Sequence, residues 1–136
     1  MKIVHWDIAE KFKDTMQIFV IEDISEKYTK FFCKSTKLIA PHVEPKKLAV
    51  FFTRKKLTVH LTHPNRIAEY MRVILYNLDK IDTIPDDRNL IAIFLEELVH
   101  AYYDDDDEIW VGKKVAELYP DVLFNEEKVK YEFPVS

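Results

Sequence analysis

The chain has 136 residues, of which 48% are hydrophobic and 13% aromatic, a composition too apolar for intrinsic disorder and a length that suits a single domain spanning 1–136. A formal net charge of -4 is a mild acidic balance and gives no reason to expect a nucleic-acid partner, which usually needs a concentrated basic face. The single cysteine, Cys33, rules out an intrachain disulfide and fits a cytoplasmic setting. The lone glycine, Gly112, rules out the glycine-rich loops that cradle phosphates.

The N-terminal residues Met1 to Asp7 lack the long apolar region of a signal peptide. No stretch approaches the roughly 18 apolar residues of a membrane span. Met16 to Glu22 (MQIFVIE) reads as a strand or as part of a helix. Asp23 followed by Glu26 has the spacing of a capping box, in which both side chains satisfy free amides at a helix start. Ile24, Tyr28, Phe31, Phe32, Leu38 and Ile39 then recur at helical spacing, and Pro41 should stop that helix. Leu48 to Thr53 and Leu57 to Thr62 are β-rich runs around Arg54-Lys55-Lys56 and read as a hairpin. Asn65 to Met71 reads as a short helix or turn, and Arg72 to Leu78 as a strand. Pro85-Asp86-Asp87 signals a helix start, and an apolar helix from Leu90 to Tyr103 follows. Asp104 to Asp107 interrupt it. A second helix is expected from Glu108 to Tyr119, ending at Pro120. The alternation of Val129, Tyr131 and Phe133 suggests an edge strand.

The helix from Leu90 to Tyr103 carries the chemistry. At about 100° per residue, Ile91, Phe94, Leu95, Leu98, Ala101 and Tyr102 cover one side. Glu96, Glu97, His100 and Asp104 fall together in a narrow polar sector. No lysine or arginine occurs between Leu90 and Glu108, whereas an ordinary solvent face mixes charges and pairs Glu with Lys four residues on. Clustered carboxylates repel unless a cation or a proton intervenes. A divalent metal is one solution; an exposed acidic face, or pairing with lysines from another element, is the other.

Glu96-Glu97-Leu98-Val99-His100 resembles the H-E-x-x-H helix of the zincin metallopeptidases. In that motif two histidines four apart bind zinc and the glutamate after the first is the general base. By this resemblance His100 matches the second ligand, Glu97 matches the base, and Glu96 stands where the first histidine belongs. The helix beginning at Glu108 resembles the glutamate-bearing helix of minimal gluzincins, which makes Glu108 the best match for the third ligand, with Asp104 a further acidic candidate. The resemblance implies an α+β, zincin-like fold: a small twisted, mainly antiparallel sheet packed against the motif helix and flanking helices.

The Glu96 exchange decides what such a site could do. Carboxylate oxygen binds zinc, but two carboxylates and one imidazole make a harder, less zinc-selective site, open to manganese or magnesium. Such a site would polarise a bound water less. Zinc or another divalent metal is thus expected to bind weakly or not at all. Three readings follow. The first in rank is an inactive or impaired pseudopeptidase with a binding or regulatory role toward a protein or peptide partner. The second is an active metal-dependent peptidase or hydrolase using Glu96, His100 and an acidic third ligand. The third is an unrelated α+β interaction module. His60 and His63, three apart on an expected strand, point to opposite faces. His5 and His42 are isolated, and Cys33 reads as a buried thiol.

Overall fold

The computed structural model describes residues 2–54 and 72–134. The expected strand Leu57 to Thr62, its hairpin, the short helix or turn Asn65 to Met71, and His60 and His63 all lie outside the described residues. Four strands, β1 (Lys2–Val4), β2 (Met16–Val20), β3 (Leu48–Thr53) and β4 (Arg72–Asn77), form one sheet in the order β1-β2-β3-β4. The helices are α1 (Glu26–Ile39), a single turn α2 (Leu78–Ile81), α3 (Asp87–Tyr103) and α4 (Glu108–Leu118). A separate hairpin, β5 (Leu123–Asn125) with β6 (Lys130–Glu132), follows α4. The mixed α+β class is as expected.

The sheet is not mainly antiparallel among the described residues. Only β1 and β2 run antiparallel, while β2 with β3 and β3 with β4 are parallel. The reason lies in connectivity. β2 reaches β3 through α1, and a strand–helix–strand unit returns the chain to the end where it began. The sequence of β3, Leu-Ala-Val-Phe-Phe-Thr, is a continuous run without polar alternation, which is what a strand covered on both faces requires. All six of its residues are buried.

Local chemistry sets the helix ends. Ser25 caps α1 by accepting from the Lys27 amide at 3.3 Å, so the helix starts beyond the Asp23–Glu26 box. Pro41 then falls in a short 3₁₀ turn, Ala40–His42, after the helix has ended. Asp86 caps α3, accepting from the Arg88 amide at 2.8 Å. Asp104 ends α3 in the left-handed conformation, φ 52°, one of the few non-glycine residues that tolerate it. Asp107 caps α4 by accepting from the amides of Ile109 and Trp110. The aspartate run is thus a helix–helix connection, with an end cap made by the Asp104 backbone and a start cap made by the Asp107 side chain.

The tail's alternation does mark a strand, but β6 pairs with β5 in the small hairpin. The turn between them places Val129 at φ 50°, where a β-branched side chain is strained.

The core lies between the sheet and the helices. Phe94 of α3 is fully buried and meets Phe32 of α1, Phe52 of β3 and Tyr76 of β4 edge-on, at centroid distances of 6.0, 6.1 and 5.2 Å. The motif helix therefore rests against β3 and β4, as the apolar side centred on Ile91, Phe94 and Leu98 demands. Two buried hydroxyls fasten it. Tyr76 donates to the Phe94 carbonyl at 2.7 Å, and Ser35 donates to the Ile91 carbonyl at 3.1 Å. No helix among the described residues is long and apolar enough to cross a membrane.

Candidate functional site

The polar sector of α3 lies at its C-terminal half, where the last carbonyls of a helix lack intrahelical partners. Two cations from outside the helix reach carbonyls there, although that of His100 already accepts from the Asp104 and Asp105 amides. Lys46 donates to the Ala101 carbonyl at 2.9 Å, and Arg72 to the His100 carbonyl at 3.3 Å. Arg72 also pairs with Asp104 and Asp106, each at 3.6 Å. The cations missing from the helix sequence thus arrive from β4 and from the loop before β3.

His100 has a contact at each of its ring nitrogens. Its side chain is 13% exposed. Its Nδ1 lies 2.7 Å from the Asp105 carbonyl oxygen, and a carbonyl can only accept, so Nδ1 carries the proton. Nε2 then faces the Glu108 carboxylate at 3.3 Å. His100 and Glu108, matched to the second and third zincin ligands, are brought together. Asp104 is not. It faces Arg72, is 73% exposed, and serves the helix end. Asp105 and Asp107 are occupied in the connection, where the Asp105 carboxylate accepts from the Asp107 amide at 2.8 Å.

Glu96, in the first-ligand position, has a different partner. The Tyr131 hydroxyl, from β6, donates to its Oε1 at 3.1 Å. Glu97 has no hydrogen-bond or ion-pair partner among the described residues; with Arg72, His100, Asp106 and Glu108 it borders a cleft of about 300 Å³. The group fits a metal ion only in part: among the described residues no three histidine, cysteine, aspartate or glutamate side chains are placed to hold one. Two carboxylates and an imidazole share a sector, but Glu96 is tied to a tyrosine and only the His100–Glu108 pair is in contact.

Burial governs the acid–base character of this sector. It raises the pKa of Glu96 more than the Tyr131 hydrogen bond lowers it, with Glu108 and Glu97 adding repulsion. Burial likewise raises Glu97, opposed by attraction to His100. The linkage sign follows. A carboxyl whose folded pKa lies above its unfolded value binds protons more tightly in the native state, so stability falls as pH rises from the ordinary value of 4.5 through the raised one. The opposite behaviour of Asp82 and Asp86, whose hydrogen bonds lower their pKa below 3.8, belongs to a more acidic window. Urea denaturation at pH 4.5 and at about pH 7.5 should therefore show a larger loss of stability on the neutral side for the natural protein than for Glu96→Gln/Glu97→Gln. A smaller loss would mean that the fold holds both carboxylates charged.

Lys46, Arg72 and Tyr131 are the residues of the site that sequence reading does not supply. Tyr131 stands in an alternating tail, 35 residues from Glu96, and nothing local links the two. Arg72 had one usable signal: a lone cation opening an apolar strand. No family model, curated protein or solved structure matches this chain.

Proposed function

We propose that the protein is a degenerate zincin-like domain, a pseudopeptidase in the cytoplasm whose role is binding or regulation of a protein or peptide partner. The observation that carries this reading is the Tyr131–Glu96 hydrogen bond at 3.1 Å. The residue in the first-ligand position is a carboxylate, and a neighbouring strand already satisfies it. Glu97, matched to the general base, adjoins an acidic cleft that lacks the paired imidazoles by which zinc lowers the pKa of its water. The buried, lone Cys33 suits a reducing compartment.

One observation favours the second reading, a metal-dependent hydrolase using Glu96, His100 and Glu108. His100 Nδ1 is held by a backbone carbonyl, the outer-shell arrangement that orients a metal-binding imidazole through its other nitrogen.

Zinc titration of the natural protein and of Glu96→His, by competition with a chromophoric chelator, tests the proposal. The natural protein should bind weakly and cleave no peptide. The variant restores two imidazoles four apart on one face and should bind at least about tenfold tighter, or about 1.4 kcal/mol. Tight zinc in the natural protein would overturn the pseudopeptidase reading in favour of the hydrolase. No gain in the variant would remove the zincin likeness itself.

A further inference from the structure

A shallow depression of about 880 Å³ runs along the outer side of α1, away from the motif helix's polar sector. Lys27, Lys30, Lys34 and Lys37 border it, with Phe31 and Leu38 supplying half-buried apolar surface between them. The lysines are spaced three, four and three apart, so each is a neighbour of the next on one face, and like charges at that spacing weaken a helix. Glu26 is the only acid in the whole helix. The chain as a whole has 24 acidic and 20 basic residues, so its positive charge is segregated here against the average.

Internal pairing leaves much of that charge uncompensated. Lys27 meets Asp87 at 3.4 Å and Lys37 meets Asp7 at 3.2 Å, both as exposed contacts that contribute little. Lys34 lies over the Tyr119 ring, 5.4 Å from its centroid. Neither Lys34 nor Lys30 has a carboxylate partner among the described residues. A solvent face that served solubility alone would mix signs.

We propose that this face of α1 docks an acidic, amphipathic segment of a partner protein. The partner's carboxylates would meet Lys30 and Lys34, and its apolar side chains would cover Phe31 and Leu38. The proposal is independent of the zincin-like reading, since it uses neither the motif helix nor a metal.

The probe is a fluorescein-labelled helical peptide with glutamates and leucines at heptad spacing, followed by anisotropy across a salt series. It should bind the natural protein, and Lys30→Glu/Lys34→Glu should weaken binding by at least about tenfold. Lys80→Glu/Lys128→Glu, with the same charge change elsewhere, should leave binding within about twofold of natural. Replacing the peptide's leucines by serine should also weaken binding. Cys33 lines the same depression and is the only thiol, so the peptide should slow its alkylation in the natural protein. That second readout stands even where a variant fails to fold. Absence of binding, equal binding by Lys30→Glu/Lys34→Glu, or no protection of Cys33 would overturn the proposal. So would tighter binding of polyuridylic acid than of the peptide, or a concentration-dependent dimer that Lys30→Glu/Lys34→Glu dissociates, since each assigns the face to a different occupant.

Discussion

Phe94→Ala is expected to destabilise the protein by about 3–5 kcal/mol, the range for emptying a fully buried phenylalanine site. The ring has no solvent exposure. Four aromatic neighbours surround it edge-on: Tyr28, Phe32, Phe52 and Tyr76. They come from α1, β3 and β4, so no single element can relax inward to fill the void. The Tyr76 hydroxyl, fixed on the Phe94 carbonyl at 2.7 Å, further restrains the helix from shifting. Denaturant midpoints with an unchanged m-value would confirm the magnitude. A loss below about 1 kcal/mol would mean that the site collapses freely and that the aromatic cluster is not the centre of the fold.

Gly112→Ala is expected to cost about 2 kcal/mol, against the helix-propensity gain of about 1 kcal/mol that the same change gives at an open position. Gly112 sits inside α4, where glycine is otherwise unfavourable. A Cβ there would lie within 2.5 Å of three ring atoms of Phe124 in β5, so the ring must leave its seat. Phe124 in turn packs on Tyr131, 5.6 Å between centroids. The only glycine of the chain therefore holds the small hairpin in register with α4, and through it the hydroxyl that reaches Glu96. Thermal melts of Gly112→Ala, Phe124→Ala and the double variant form a cycle. In the Phe124→Ala background the glycine change should become neutral or stabilising. Equal cost in both backgrounds would show that the ring is not the obstacle.

How much could be read beforehand depended on the range of each interaction. Periodicity and capping chemistry act over three or four residues, and they gave α1, α3 and α4 to within a few positions. The Asp86 cap acts locally and was legible in Pro85-Asp86-Asp87, whereas the Asp107 cap was hidden in an aspartate run read only as an interruption. The Asp23–Glu26 box failed because Ser25, two residues on, caps equally well and lies nearer the first helical contact with the core. Strand direction is a property of connections, so the parallel pairing of β3 with β2 and with β4 could not be read from any local pattern. The approach of Glu108 to His100 was expected only through the resemblance to the glutamate-bearing helix of minimal gluzincins, not from any local pattern. The Tyr131 hydrogen bond to Glu96 was not, because it depends on where a separate hairpin docks.

The parallel pairing of β2 with β3 also bears on how the chain reaches this state. Met16 lies opposite Leu48 and Val20 opposite Phe52, so none of these rungs can form by zipping outward from a tight turn. The loop spanning α1 must close before the first of them contributes, and its entropy is lost before any ladder bond compensates. Helix formation needs only near neighbours and is fast, on the order of a microsecond. An early α1 shortens the effective loop and brings Phe32 to the sheet side, where Phe52 and Tyr76 can gather on it. The slow event in folding is then the search that joins β2 to β3 across a formed α1, and the order in which the sheet assembles is set by topology rather than by the strength of any one strand.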